Sequence, residues 1–184
     1  MRYPSFHAHA YDDWLGNDGP ARPGIVGMLR PPCAGCETID AITPQGSLVL
    51  TAEHASVTFS PAEFRALPRV SLTVHNGHTD ASETYSGVPL ATLLAKVNAP
   101  LGKELRGGAM TSYVIATGSD GYAVVLSLAE VDPDFHQGQV LLVADTRDGQ
   151  PLGKNGPFQL IVSDDKRPAR WVHNLNSITL QHAQ

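Results

Sequence analysis

Ser112-Tyr113-Val114-Ile115-Ala116-Thr117-Gly118-Ser119-Asp120-Gly121-Tyr122-Ala123-Val124-Val125-Leu126-Ser127 is two apolar runs joined by turn-forming residues. The β-branched and aromatic side chains suit a pleated, half-buried surface, so 112–117 reads as a buried strand and 122–127 as its antiparallel return. Between them Gly supplies a positive φ and Asp bonds its own backbone, as a tight turn requires. In any soluble protein Asp120-Gly121 would play this structural part, and Tyr122 packs beside it.

The same pattern recurs on both sides of this hairpin. On the N-terminal side, Ser47-Leu48-Val49-Leu50 and Ser56-Val57-Thr58-Phe59 read as strands, and Val70-Ser71-Leu72-Thr73-Val74-His75 alternates with period two. Ser60-Pro61-Ala62-Glu63-Phe64 offers an N-cap, a Pro at the first helical position and an acidic first turn, which predicts a short helix ending near Leu67. Leu90, Leu93, Leu94 and Val97 fall at i, i+3, i+4 and i+7, one face of a second helix, with the polar stretch before Tyr85 left as a loop. On the C-terminal side, Ser127 caps a brief turn through Glu130. Val140 to Asp145, Phe158 to Val162, Trp171-Val172 and Ile178 to Leu180 then read as the remaining strands of the sheet. The expected class is α+β, mixed and mostly β, with short helices.

With 184 residues, 42% of them hydrophobic, the chain can bury one sizeable core but not two. Residues 1–44 are dense in Pro, Gly and Asp without apolar period, so they read as an irregular N-terminal arm and 45–184 as the domain. Lys+Arg 13 against Asp+Glu 18 gives a net charge of -5, with no basic excess to neutralise a phosphate backbone, which argues against nucleic acid as a partner. No stretch approaches the ~20 apolar residues of a membrane helix. Met1 to Asp18 lacks the apolar block of a signal peptide, so the sequence reads as cytoplasmic if Met1 is the true start.

The two cysteines, Cys33 and Cys36, form a CxxC in the arm. Such a pair can be a redox couple or half of a metal site, but it lacks a βαβ context and a second pair. A surface disulfide or two idle thiols is the simpler reading. There is no Gly-rich phosphate loop, since Gly107-Gly108 has the wrong spacing, and no Ser/His/Asp triad can be asserted from sequence.

The order of Tyr85-Ser86-Gly87-Val88-Pro89-Leu90, Ser119-Asp120-Gly121-Tyr122, Asp148-Gly149-Gln150-Pro151-Leu152, Gly156-Pro157-Phe158-Gln159-Leu160 and Arg170-Trp171-Val172 resembles the molybdopterin-binding domain of the sulfite oxidase family in its short, single-domain form. The similarity spans roughly Val57 to Leu180. It implies a mostly β fold around a pterin whose dithiolene holds molybdenum, a cysteine thiolate as further ligand, oxygen-atom transfer with a redox partner protein, and export to the periplasm. In the family that cysteine follows a strand just before the Gly-Val-Pro-Leu-like helix start, here Val74-His75-Asn76-Gly77-His78. No cysteine stands there, and His75 occupies about the matching position. The resemblance thus implies molybdopterin as cofactor, while the missing sulfur argues for none and against molybdenum turnover.

Candidate ligand residues follow from both lines. His75 and His78, with Asp80 and Glu83 nearby, supply N and O donors for Zn or Cu, or flank an anion; the bland alternative is a surface loop. Basic residues fit the cofactor's phosphate and pterin, and His75, His78, Arg147, Lys166, Arg167 and Arg170 are the cofactor-binding candidates, Arg170 standing in the closing motif. Lys166 to Arg170 is a local cationic cluster whose arginine forks suit phosphate, against the alternative of a solvated loop. Trp171 reads as a core anchor. Three functions stay open: a binding or accessory protein for a small anion, pterin or metal; an oxidoreductase whose metal site uses His75 or a cysteine of the arm; and an interaction module with a closed pocket.

Overall fold

The computed structural model describes residues 46–136, 138 and 140–183; the predicted arm, with Cys33 and Cys36, lies outside them. The predicted hairpin is β5 (Ser112–Gly118) paired with β6 (Ala123–Ser127), Ile115 opposite Val125. Its turn closes as the residue types demand. The Gly118 N–H donates to the Tyr122 carbonyl at 2.8 Å, the Tyr122 N–H donates to the Asp120 carboxylate at 2.9 Å, and Gly121 takes φ +83°.

Around that hairpin stand two five-stranded sheets rather than the single one expected. The first has the order β2 (Ala55–Phe59), β1 (Leu48–Ala52), β10 (Leu175–His182), β5, β6. Within it β1 and β10 run parallel, Val49 beside Ser177, and β10 pairs antiparallel with β5. The second joins β3 (Val70–Asn76), β4 (Ala81–Pro89), β7 (Leu141–Arg147) and β8 (Gln150–Pro151), with β9 (Gln159–Val162) also paired to β7. One hydrophobic cluster runs through both sheets, from Leu48, Leu50, Val114 and Leu126 to Tyr85, Val143, Leu160 and Trp171. The class is α+β and mostly β, as the sequence predicts.

The helices are short. Helix α1 (Pro61–Arg65) carries the expected Ser60 cap as a full capping box with Glu63, and buries Phe64 against Phe158 with ring centroids 4.7 Å apart. Helix α2 (Leu90–Leu94) buries Leu90, Leu93 and Leu94 and tightens into a 3-10 turn at Ala95–Val97. Helix α3 (Leu128–Val131) repeats the capping box with Ser127 and Glu130. None of the described helices is long and apolar enough to cross a membrane.

Two readings need correction. The polar stretch before Tyr85 is strand, because β4 starts at Ala81 and pairs with β3 along its length. Trp171-Val172 is not strand: it follows a 3-10 turn, with the Trp171 indole N–H donating to the Val162 carbonyl at 3.0 Å.

Candidate functional site

Several connections meet at one place because backbone bonds tie them together. The segment between β9 and β10 passes the β5–β6 turn, where the Ser119 N–H donates to the Asn174 carbonyl at 2.9 Å. It also passes the 3-10 turn Gly153–Asn155: the Asn174 N–H donates to the Asn155 carbonyl at 2.9 Å and its side-chain amide to the Lys154 carbonyl at 3.2 Å. The Tyr122 hydroxyl donates to the Ala169 carbonyl. On the other flank lies the β3–β4 turn, where a Cβ on Gly77 would sit 3.8 Å from the Lys166 carbonyl oxygen.

His173 stands at this junction. Gly118 permits it, since a Cβ there would lie 2.6 Å from the His173 carbonyl oxygen. His173 is exposed, yet partial desolvation comes first among the causes that hold its imidazole pKa below the ordinary value. Asp120 acts in the opposite sense, while His78, Arg147 and Lys154 lower it further. The side chains that act on His173 therefore come from the β3–β4 turn, the end of β7, the 153–155 turn and the β5–β6 turn, and three of the four are basic. Sequence reading missed His173 and Lys154, which belong to no motif, although the Arg170-Trp171-Val172 motif ends next to His173.

The predicted candidates separate. His78, held by its N–H donating to the Asn76 side-chain oxygen at 2.9 Å, lines a pocket of about 330 Å³ with Gly77, Lys166, Arg167, Pro168 and Ala169. Arg147 reaches Glu83 at 3.7 Å and keeps more than a third of its side chain exposed. Arg170 instead turns inward: its fork takes both oxygens of Asp165 at 2.8 and 2.6 Å and Glu130 at 3.0 Å. These partners raise its pKa further and occupy its donors, so the side chain that best matched the closing motif is a structural clamp.

The donor set His75, His78, Asp80 and Glu83 does not assemble, which corrects that expectation. Alternation along β3 buries Val74 and Asn76 and leaves His75 on the exposed face, 3.4 Å from Asp80. Glu83 points the other way, into the protein, and accepts from Tyr85 at 2.6 Å, Asn76 at 2.9 Å and Thr79 at 3.1 Å. Burial alone would raise its pKa, but these bonds and Arg147 hold it below the ordinary carboxylate value. Among the described residues no group of three or more His, Cys, Asp or Glu is placed to hold a metal ion.

No family model matches the sequence, and no curated protein matches it. Among solved structures the chain is similar to the sulfane dehydrogenase SoxCD from Paracoccus pantotrophus, with a TM-score of 0.55 and 16% sequence identity over 73% of this chain and 38% of that one. The fold is sulfite oxidase-like. At this identity the relation is one of distant fold alone, and the chain spans well under half of the SoxCD chain's length. The fold's molybdopterin, with a protein thiolate on its metal, finds only part of what it needs. Basic side chains suit an anionic group, but the chain carries no thiol after Cys36, and the stretch that would supply one reads Val74-His75-Asn76-Gly77-His78.

Proposed function

We propose that this chain is a binding or accessory domain that has the sulfite oxidase-like fold and takes a small anionic ligand, without molybdenum turnover. The observation that carries this reading is the pocket lined by His78, Lys166 and Arg167, with the basic Arg147 and Lys154 on neighbouring connections. In a chain of net charge -5 such a cluster is a local exception, and basic groups with spare donors, drawn from separate connections, are what an oxyanion or phosphate recognises. The chemistry on offer is recognition: N–H donors and positive charge.

The competing reading, an oxidoreductase with His75 as metal ligand, has less support because His75 projects from the exposed face of β3 with Asp80 at 3.4 Å, while Glu83 turns into the protein. The experiment is metal analysis by mass spectrometry, with pterin fluorescence after oxidation, on full-length protein from a host competent for molybdenum cofactor. Titration calorimetry with phosphate and sulfate accompanies it. Anion binding with no molybdenum is the expected result, and stoichiometric molybdenum with pterin overturns it.

A further inference from the structure

We propose that the outward face of the first sheet is the contact surface of a homodimer, in which two copies of this chain meet face to face about a two-fold axis. It stands independently of the anion-binding reading.

None of the five strands of this sheet, β2, β1, β10, β5 and β6, contains Lys, Arg, Asp or Glu, whereas the second sheet carries Glu83, Asp145 and Arg147. Alternation sends Leu50, Ile178 and Val124 inward to the core and their neighbours along each strand outward. The pairing register sets Ser56, Thr51, Thr179, Ile115 and Val125 side by side, one row across all five strands. Among the described residues each of these stays exposed or half-buried, and Val125 is 60% exposed. The rows beside it are equally uncharged, and in one of them the Tyr113 hydroxyl donates to the Gln181 side-chain oxygen at 2.8 Å, so that both side chains are already ordered.

Size and chemistry select a second copy. Five strands about 4.8 Å apart, with two or three outward side chains per strand at about 6.8 Å intervals, make a face of roughly 24 by 20 Å. Two such faces bury about 1,000 Å² together, where specific, reversible interfaces begin. Side chains as small as Ser, Thr and Val let the two sheets approach to the ~10 Å spacing of a β-sandwich. A hydroxyl both donates and accepts, so a field of Ser and Thr is complementary to its own image across a two-fold, while Ile115 and Val125 supply apolar surface that gains by leaving water. A face of carboxylates or ammonium groups would instead demand a partner of opposite charge. The net charge of -5 makes two copies repel, and on this face they can meet with no like charges opposed.

The test is sedimentation velocity on the full-length chain from about 1 μM to about 1 mM. The expected result is a reversible shift from monomer to dimer, with a dimer fraction that rises with salt, because salt screens the net repulsion and no ion pair crosses the face. Val125→Lys and Thr179→Lys, which set like charges against each other, should each weaken the dimer about tenfold or more. Val70→Lys, at an exposed apolar position on the second sheet, should leave it unchanged. Urea midpoints check that the variants fold. On unaltered protein the methyl signals of Ile115 and Val125 in NMR should move with protein concentration, a readout that needs no variant. A chain that stays monomeric at about 1 mM overturns the proposal and gives the face to a different partner. A dimer that survives both face variants, or one that salt dissociates, overturns it as well.

Discussion

Removing the Arg170 guanidinium leaves the carboxylates of Asp165 and Glu130 without the cation that both contact. Arg170→Ala should therefore lower stability by about 1–2 kcal/mol in urea denaturation, the partial exposure of the pair keeping the loss modest. Arg167→Ala and Lys166→Ala, at exposed positions lining the pocket, should leave the urea midpoint almost unmoved and weaken sulfate binding instead. Glu83 gives a pH signature. Its folded pKa is lowered, so the ionised form contributes stability above the ordinary carboxylate range, and that contribution disappears as pH falls through the folded value. The urea midpoint of Glu83→Gln should thus lie furthest below wild type at neutral pH and approach it in acid. Basic residue types were legible at this scale, but their duties were not. Nothing in Lys166 to Arg170 says that only the last of them turns inward, since Glu130 reaches it from another part of the chain.

Strand β4 carries a register shift between Ser86 and Gly87 where it meets β7, and there the two backbones nearly touch. A Cβ at Gly87 would sit 2.0 Å from the Val143 carbonyl oxygen, so Gly87→Ala must part β4 from β7. It should cost roughly 3 kcal/mol or more, read as a lowered urea midpoint, far above the usual glycine effect. Helices and hairpin were legible because capping, i, i+3, i+4 spacing and turn chemistry are local signals. The first half of β4 was not, because its inward residue Glu83 is polar and its outward residues Ser82 and Thr84 look like loop. Thr73 and Thr84, and Ser71 and Ser86, bond across the exposed face at 2.9 and 2.7 Å, a pattern visible only once the pairing is known.

At the scale of the molecule, the ordered set of motifs pointed to the fold, while the partition into two sheets and the His173 junction depend on contacts that no local pattern encodes. The parallel match of β1 with β10 is the longest-range of these. Deleting the chain from Leu175 onward would part β2 and β1 from β5 and β6, and the expected outcome is rapid proteolysis and loss of the cooperative urea transition. During synthesis the same pairing imposes a delay. Val49 emerges from the ribosome and must wait for Ser177, nearly the whole length of the domain, before its open edge is covered. In that interval the nascent β1–β2 ribbon is an unpaired apolar template, so the growing chain is most exposed to aggregation and most in need of a chaperone just before its last strand is made.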